Sequence, residues 1–339
     1  MPSTLPRRAP SLRLAIICML ILILPAPGHA WDDTGHRLSA YVAWDLFTSQ
    51  ERLALFDILQ QHPRFEQDFL DAMPVNVMVG SDLDKARWAL GQAAVWPDIA
   101  RGFQAEDLIR YHRPEWHWID GAWVRGEGIH GNVYVGADSK PSLRGDPPGS
   151  VTAERDADNV VVALEYNLHV LRQPGSTPAE RAIALCWVLH LAGDIHQPLH
   201  SGALVSRELF RDGDRGGNGI AVTGGNLHSL WDGALRSQPF DDTLRRLTTT
   251  AMRADPGQMV SDPYEWLEES REIMQLYVYT DDIKAGVLRS ERRDSPLPEF
   301  TLDADYLARM QGIAEDRLAL AGLRLALILR IPLSVNGGG

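Results

Sequence analysis

The chain has 339 residues, and 45 acidic against 33 basic residues give it a net charge of −12 at pH 7. This length allows one large domain or two small ones. A strongly acidic protein does not cover nucleic acid through a broad basic surface, so it would have to bind phosphates locally, and metal ions are the most economical means.

The first thirty residues have the pattern of a cleavable secretory signal. Three arginines precede the apolar run Leu14–Leu24, which is short for a bilayer span, and Gly28 and Ala30 place small residues at positions −3 and −1 of a cleavage site. Cleavage there would leave 309 residues that begin at Trp31, with a net charge of −15 once the three arginines are lost. We therefore expect an exported protein, periplasmic or secreted, with no membrane segment after cleavage. An uncleaved membrane anchor is the alternative.

Cysteine is scarce in this chain. Cys18 lies in the signal, so Cys186 alone would remain in the exported form and no intrachain disulfide could form. An exported protein of this size without disulfides depends on its core, and on bound metals, for stability. Cys186 stands four residues before His190, and we interpret it as a small buried hydrophobic residue.

Helical periodicity dominates the mature chain. The predicted helices cover residues 36–47, 52–60 with Ser49 as N-cap, 156–171, 177–197 between the capping box Thr177-Pro-Ala-Glu180 and Pro198, 227–235, 263–277 and 303–329. Residues 118–136 alternate aromatic or aliphatic residues with glycine and predict short strands, whereas 140–150 and 211–225 are predicted loops. We predict a single all-α domain over residues 31–332, mostly helical with short irregular or two-stranded segments, and a disordered tail at 333–339.

Two pairs of histidine and aspartate carry the strongest functional signal. His190 and Asp194 stand four residues apart in a predicted helix, and His228 and Asp232 repeat that spacing in another. The spacing puts imidazole and carboxylate on one helix face, one turn apart, and zinc and similar divalent metals bind such ligand sets. A single pair is more often an ordinary hydrogen-bonded pair. Two pairs with further histidines nearby predict a site for several metal ions.

Further candidate ligands lie along the chain, and each has an ordinary explanation when it is taken alone. They are Trp31, His36, Asp98, His117, Asp120, His196 and His200. His36 could be a satisfied helix residue, Asp98 a turn or N-cap residue, and His117 a core residue between two tryptophans. His196 could orient a neighbouring ligand through its second ring nitrogen. Single motifs of this kind are weak evidence.

Taken together, the order and spacing of these residues resemble the zinc-dependent single-strand nucleases of the S1/P1 family, which are related to the zinc phospholipases C. The matching blocks are Trp31-x4-His36, Trp96-x-Asp98, Trp116-His117-Trp118-Ile119-Asp120, His190-x3-Asp194-Ile-His-Gln-Pro-Leu-His200, Gly216-Gly-Asn218 and Asn226-Leu-His228-x2-Trp-Asp232. The closing Ala-Leu-Ala-Gly-Leu-Arg-Leu-Ala helix also matches. The resemblance therefore covers essentially the whole mature chain.

The resemblance implies three zinc ions per chain. The implied ligands are Asp98, His117, His190 and Asp194 for the first ion, the shared Asp194 with His36 and the amino and carbonyl groups of Trp31 for the second, and His200, His228 and Asp232 for the third. Two zinc ions roughly 3.5–4 Å apart can share a hydroxide, because binding to metal lowers the pKa of water to about 7. The implied reaction is in-line attack of that hydroxide on phosphorus, with the third ion neutralising the departing 3′ oxygen, which leaves a 5′-phosphate.

The resemblance also implies how the substrate is held. Arg101 stands where the family has lysine and would clamp phosphate oxygens during catalysis. Trp118 would stack a base, and Asp120 and Asn218 would hydrogen-bond its edge. Stacking contributes about 1–3 kcal/mol per base and requires an unpaired base, which would give single-strand preference. A place in the core is the alternative for Trp118.

We therefore predict an exported zinc-dependent hydrolase, an endonuclease that cuts single-stranded DNA and RNA and also acts as a 3′-nucleotidase, with nucleic acids and nucleotides as substrates and no stable protein partner. One alternative is a zinc phospholipase C, but its last ligand is typically glutamate where this chain has Asp232. The other is a non-catalytic zinc-binding protein, which the open coordination positions of the implied ions disfavour. Two departures from the family, the lack of disulfides and the long segment Ser201–Gly217, leave the balance between DNA, RNA and 3′-nucleotides open.

Overall fold

The computed structural model describes residues 31–119, 123–124, 127–128, 131–138 and 152–336, and these are mostly helical. The α-helices are α1 (Asp33–Leu46), α2 (Ser49–Leu59), α3 (Val75–Met78), α4 (Asp82–Ala100), α5 (Ala105–Tyr111), α6 (Val160–Arg172), α7 (Pro178–Ile195), α8 (Leu227–Asp232), α9 (Phe240–Met252), α10 (Pro263–Ile273), α11 (Asp281–Arg293) and α12 (Ala304–Asn336). Short 3-10 turns at Pro114–His117, Glu154–Asp156, Pro198–His200 and Pro256–Gln258 and π-helical turns at Glu66–Leu70 and Met274–Val278 connect or extend them. The described helices include none with the length and apolar content of a membrane span.

The strands are short and pair in twos. They are β1 (Trp123–Val124), β2 (Glu127–Gly128), β3 (Val133–Val135), β4 (Leu204–Ser206), β5 (Ala221–Val222) and β6 (Gly225–Asn226). β1 and β2 are antiparallel, as are β5 and β6, whereas β3 and β4 run parallel with Val133 opposite Leu204. Pairing of β3 with β4 joins the segment that follows Pro198–His200 to the segment that follows Gly131.

Helix α7 lies at the centre of the fold. It begins at the capping box in which Thr177 and Glu180 satisfy each other's backbone N–H groups, and every residue from Leu185 to Ile195 is buried. Helices α1, α2, α4, α6 and α12 pack around it. A helix that is apolar on all sides is stable only when it is enclosed, so any polar side chain on its second half must find its partners inside the protein.

The predicted all-α fold with short two-stranded segments is confirmed, and each predicted helix has a counterpart. One N-cap prediction is wrong. Thr48, not Ser49, caps α2, because the Thr48 side chain accepts a hydrogen bond from the Glu51 backbone and the Glu51 carboxylate accepts one from the Thr48 N–H. The predicted loop 211–225 also contains β5 and the start of β6, where Gly224 adopts a positive φ of 91° at the hairpin turn.

Some predictions fall wholly or partly outside the described residues. The signal (1–30), Asp120, the loop 140–150 and the last three residues lie there. Helix α12 passes Pro332 and reaches Asn336, so residues 333–336 are helical and not part of a disordered tail. Helices often end just before a proline, but a proline does not require that end. The assignment of residues 31–332 to one domain stays a prediction.

Candidate metal centre

The second half of α7 brings two candidate ligands into the interior. His190 and Asp194 lie one turn apart and are both fully buried. Gly193 lets α1 approach, because a Cβ atom at this position would lie 2.9 Å from Nδ1 of His36. The rings of His36 and His190 consequently stack with their centroids 3.9 Å apart. The close contact of α1 and α7 therefore places three candidate ligands together.

Two further elements complete this part of the site. Asp98 lies in the last turn of α4, and His117 ends the 3-10 turn Pro114–His117. Nδ1 of His117 lies 2.9 Å from Nε2 of His190 and 3.9 Å from Oδ1 of Asp98. Two candidate ligand groups result, His36 with His190 and Asp194, and Asp98 with His117 and His190, and the ligand atoms within each lie within 4.8 Å of one another.

The carboxylate of Asp194 faces both groups. Its Oδ2 lies 3.2 Å from Nε2 of His190 and 3.2 Å from Nδ1 of His117. Its Oδ1 lies on the other side, 3.5 Å from Nε2 of His36. A single buried carboxylate with one oxygen toward each group has the geometry that a shared ligand requires.

A third group stands beside these two. Helix α8 carries His228 and Asp232, with Nε2 of His228 3.4 Å from Oδ2 of Asp232, and the turn Pro198–His200 adds His200. The rings of His200 and His228 stack with centroids 5.0 Å apart. The groups are close neighbours, because Nδ1 of His200 lies 3.7 Å from Oδ1 of Asp194.

Backbone carbonyl groups orient three of the histidine rings. Nδ1 of His190 donates to the carbonyl of Ala94 at 2.8 Å, Nδ1 of His200 donates to that of His117 at 2.6 Å, and Nδ1 of His228 donates to that of Gly216 at 2.6 Å. A carbonyl can only accept, so each ring carries its proton on Nδ1 and keeps the lone pair of Nε2. This tautomer is the one that histidine metal ligands use when a second group holds Nδ1–H.

The site also contains buried polar atoms without hydrogen-bond partners in the described part of the chain. They include both ring nitrogens of His36, Nε2 of His117, Nε2 of His200, Oδ1 of Asp194 and Oδ2 of Asp232. Nearly all buried polar atoms in proteins are satisfied, so such a concentration requires an explanation. Divalent cations fit, because the partnerless atoms are imidazole nitrogens and carboxylate oxygens of the three groups.

The electrostatics of the site fit the same explanation. Burial, reinforced by neighbouring histidines, holds the pKa values of His36, His117 and His200 well below the usual histidine range. Burial raises the pKa of Asp194 to about 6 and that of Asp232 well above its usual range. His36, His117 and His200 are thus neutral, the form that binds metal. Burial would lower the pKa of His190, but the neighbouring carboxylates of Asp194 and Asp98 raise it, and at Asp194 burial outweighs the favourable charge of His190 and Arg101.

Trp31 lies beside the first two groups. Its side chain is 1% exposed, and its indole Nε1–H donates to the carbonyl of Gly193 at 3.0 Å. The next residue continues toward the third group, since the N–H of Asp32 donates to the carbonyl of Asp232 at 3.2 Å. The backbone of Trp31 is therefore held between α7 and the end of α8.

The predicted substrate-binding residues Trp118, Arg101 and Asn218 have different surroundings in the structure. Trp118 is 43% exposed, which rules out a core role for its ring. Arg101 forms an ion pair with Asp98, so its position beside a candidate ligand is clear while its role toward phosphate stays a prediction. Asn218 lies in the same turn as Gly216, whose carbonyl holds His228, and its side-chain amide donates to the carbonyl of Arg215 at 2.8 Å.

Two residues between Asp194 and His200 have contacts that the sequence did not indicate. His196 does not join any group: its Nδ1–H donates to Ala192, and its Nε2 accepts from Arg324 at 2.9 Å. Gln197, which we did not single out, donates through Nε2 to Oδ1 of Asp232 at 2.7 Å and so orients that carboxylate. Its only sequence signal is its position within the His190–His200 block.

Comparison with known proteins gives consistent matches. The sequence profile of the S1/P1 nuclease family matches residues 31–333. Nuclease S1 of Aspergillus oryzae (strain ATCC 42149 / RIB 40) is 23% identical over 346 residues, which cover 96% of each chain. Endonuclease 4 of Arabidopsis thaliana is 31% identical over 159 residues, covering 43% of this chain and 49% of that protein, and Endonuclease 1 of the same plant is 22% identical over 350 residues, covering 93% and 91%.

Proposed function

This chain belongs to the S1/P1 nuclease family and is thus a hydrolase of nucleic acids, and we propose that it is a zinc-dependent endonuclease that cuts single-stranded DNA and RNA to 5′-phosphates and also removes 3′-phosphates from nucleotides. One observation carries the proposal. The two oxygens of the fully buried Asp194 carboxylate face separate histidine groups, with a third such group adjoining.

The residues fit three zinc ions with the ligands that the family resemblance implies. Zinc suits mixed nitrogen and oxygen ligands, and because backbone carbonyls occupy Nδ1 of three rings, their Nε2 atoms are left to face the metal. When bound, the ions would supply an activated water as nucleophile and positive charge opposite the phosphate and the leaving oxygen. The chain's own contribution is to fix the ligands: Gln197 holds Asp232, and backbone carbonyls hold the rings. No side chain has to act as nucleophile.

The exposed ring of Trp118 supports single-strand preference. Its neighbour His117 is a candidate ligand, so a base stacked on the indole would lie next to the metal groups. Such stacking needs a base that is free of its pairing partner. Arg101, 18% exposed beside Asp98, would meet the phosphate, and Asn218 would meet the base edge.

Replacing Trp118 with alanine should weaken binding of single-stranded oligonucleotides about tenfold and leave bound zinc unchanged, because stacking contributes about 1–3 kcal/mol per base. Equilibrium binding of an uncleavable oligonucleotide analogue to the zinc-loaded protein would measure the affinity, with mass spectrometry for zinc. Trp88→Phe, at a partly buried tryptophan that belongs to none of the three groups, provides the control. Unchanged affinity in Trp118→Ala would remove the stacking role.

We also propose export of the protein as a soluble enzyme, periplasmic or secreted. The signal-like residues 1–30 support this, and so does the family match, which begins at Trp31. N-terminal sequencing of the protein recovered from the periplasm or the medium of an expressing bacterium would test it. A mature protein that begins at any residue other than Trp31 contradicts the proposed cleavage.

The function as a whole predicts that chelation abolishes hydrolysis of single-stranded DNA and that zinc restores it. Metal analysis should give three zinc ions per chain, and double-stranded DNA of the same sequence should be cut far more slowly. Phosphatidylcholine, assayed in parallel, should remain intact. Zinc-restored lipid hydrolysis without nucleic-acid hydrolysis would establish the phospholipase alternative, and retained nuclease activity after complete zinc removal would refute zinc dependence.

A further inference from the structure

The turn Asp214–Gly219 is clamped against the third metal group. The buried carboxylate of Asp214 accepts hydrogen bonds from the Tyr279 hydroxyl and the Leu204 N–H, and the Asp214 carbonyl accepts one from the Gly219 N–H. At its centre the Gly216 carbonyl holds the ring of His228. A Cβ atom on Gly216 would lie 2.3 Å from the carbonyl oxygen of Leu199, the residue before His200. The turn thus touches both histidine-bearing elements of that group.

Arg215 stands out in this turn for its backbone. Its φ is +60°, and Gly216 and Gly217 follow with φ of 57° and 86°. Residues other than glycine rarely adopt such values, and asparagine or aspartate is favoured among those that do. Glycine would meet this conformation without cost. A long side chain at a backbone position suited to glycine points to a role for the side chain itself.

The side chain of Arg215 is exposed, and no hydrogen bond or ion pair joins its guanidinium to another residue in the described ranges. Arg211, four residues earlier in the same loop, differs because it pairs with Glu208. An exposed cation in the turn that holds His228 is notable in a chain of net charge −12. Arginine binds phosphate oxygens in a bidentate manner, and a polyanionic substrate supplies them.

We propose that Arg215 binds the phosphate on the 5′ side of the nucleotide whose 3′ oxygen leaves, and that it thereby favours oligonucleotides over shorter substrates. The proposal rests on the proposed nuclease function. Asn218, which would contact the base of that nucleotide, donates its side-chain amide to the carbonyl of Arg215, so the two residues share one turn. The nucleotide at Asn218 carries a phosphate on each side. The metal groups would take the scissile one, and Arg215 would take the other.

The test uses two dinucleotides that differ only by a 5′-phosphate, together with a single-stranded oligonucleotide, on the zinc-loaded protein. We expect the wild type to prefer the phosphorylated dinucleotide about tenfold in kcat/KM, equivalent to one charged contact. Arg215→Gly should lose this preference. Because glycine suits the backbone, the turn and the zinc content should persist. Its oligonucleotide binding should also depend less on salt, with a logarithmic slope smaller by about 0.7 between roughly 50 and 200 mM salt.

Two further variants separate charge from structure. Arg215→Lys keeps one positive charge and should retain most of the salt slope, whereas Arg211→Ala, at the paired arginine of the same loop, should match the wild type in every assay. Equal preference and equal salt slope in wild type and Arg215→Gly would overturn the inference and leave the nuclease function standing. A zinc-loaded wild type that cleaves no nucleic acid would overturn the proposed function, and with it this role of Arg215.

Discussion

The Asp194→Asn variant is expected to lose zinc and to lower kcat/KM on single-stranded DNA by well over 100-fold. Asparagine has nearly the same shape, but it cannot place a negatively charged oxygen toward both histidine groups, as the carboxylate does at 3.2 and 3.5 Å. Replacing residues that merely orient metal ligands already costs about 10–100-fold. A shared ligand should cost more, because its loss weakens two ions at once.

A stability measurement distinguishes this effect from misfolding. Burial raises the folded-state pKa of Asp194 to about 6, above the ordinary value of 3.8. In the zinc-free protein the carboxyl group therefore disfavours folding progressively as the pH rises through that window, and asparagine lacks this penalty. Zinc-free Asp194→Asn should thus be no less stable than the zinc-free wild type at pH 7.5. Added zinc should raise the melting temperature of the wild type far more than that of the variant.

Near-normal turnover and three zinc ions in Asp194→Asn would eliminate the shared-ligand arrangement. If the zinc-free variant instead unfolds at much lower temperature than the zinc-free wild type, the residue is needed for the fold itself, and the activity loss says nothing about metal. Asp262→Asn, at the N-cap of α10, provides a control for an aspartate-to-asparagine change outside the three groups.

The candidate ligands were predictable from the sequence because helix geometry couples spacing to direction. His190 with Asp194 and His228 with Asp232 each lie one turn apart on a helix, as a spacing of four residues requires. Asp98 was harder. It lies in α4, a helix that we did not predict, although Ser81 and Asp84 form a capping box at its start and Pro97 is tolerated in its last turn.

Other features depend on tertiary structure and leave no local pattern. The carbonyl groups of Ala94, His117 and Gly216 that hold the histidine rings belong to the backbone, which every residue type supplies. The exposure of Trp118 was equally open, because the same aromatic spacing suits a core or a surface. His196 sits in the most distinctive motif of the chain yet binds Arg324, so membership of a motif does not settle which way a side chain faces.

The second large effect concerns the chain terminus. Protein that begins at Trp31 should hold three zinc ions, whereas protein with one additional N-terminal residue should hold fewer and lose most of its activity, by at least about 100-fold. The described contacts already fix Trp31 in place: its indole donates to Gly193, next to Asp194, and Asp32 bonds to the backbone of Asp232. A new amino group at this position would lie on a rigid support beside His36.

The chemistry of the amino group explains the expected loss. An α-amino group has a pKa near 8 and readily gives up its proton to a metal at neutral pH, whereas an amide nitrogen is not a usable donor. With the carbonyl oxygen of Trp31 it would close a five-membered chelate on the ion that His36 and Asp194 also bind. One preceding residue converts the amine to an amide and removes this ligand. The indole contact with Gly193 need not change, so the fold should persist.

Export would then be coupled to activation, because only cleavage after Ala30 creates the ligand and the precursor would remain largely inert inside the cell. The comparison requires two purified proteins that differ by a single alanine before Trp31, with zinc stoichiometry, single-stranded DNA hydrolysis and melting temperature measured for each. The same alanine added at the C-terminus provides the control and should change none of the three.

Zinc binding by the Trp31 form should also strengthen as the pH rises toward 8, since the amine must lose its proton, and the extended form should lack this dependence. Equal zinc content and equal rates in the two N-terminal forms would exclude the amino group as a ligand, and with it the coupling of export to activity.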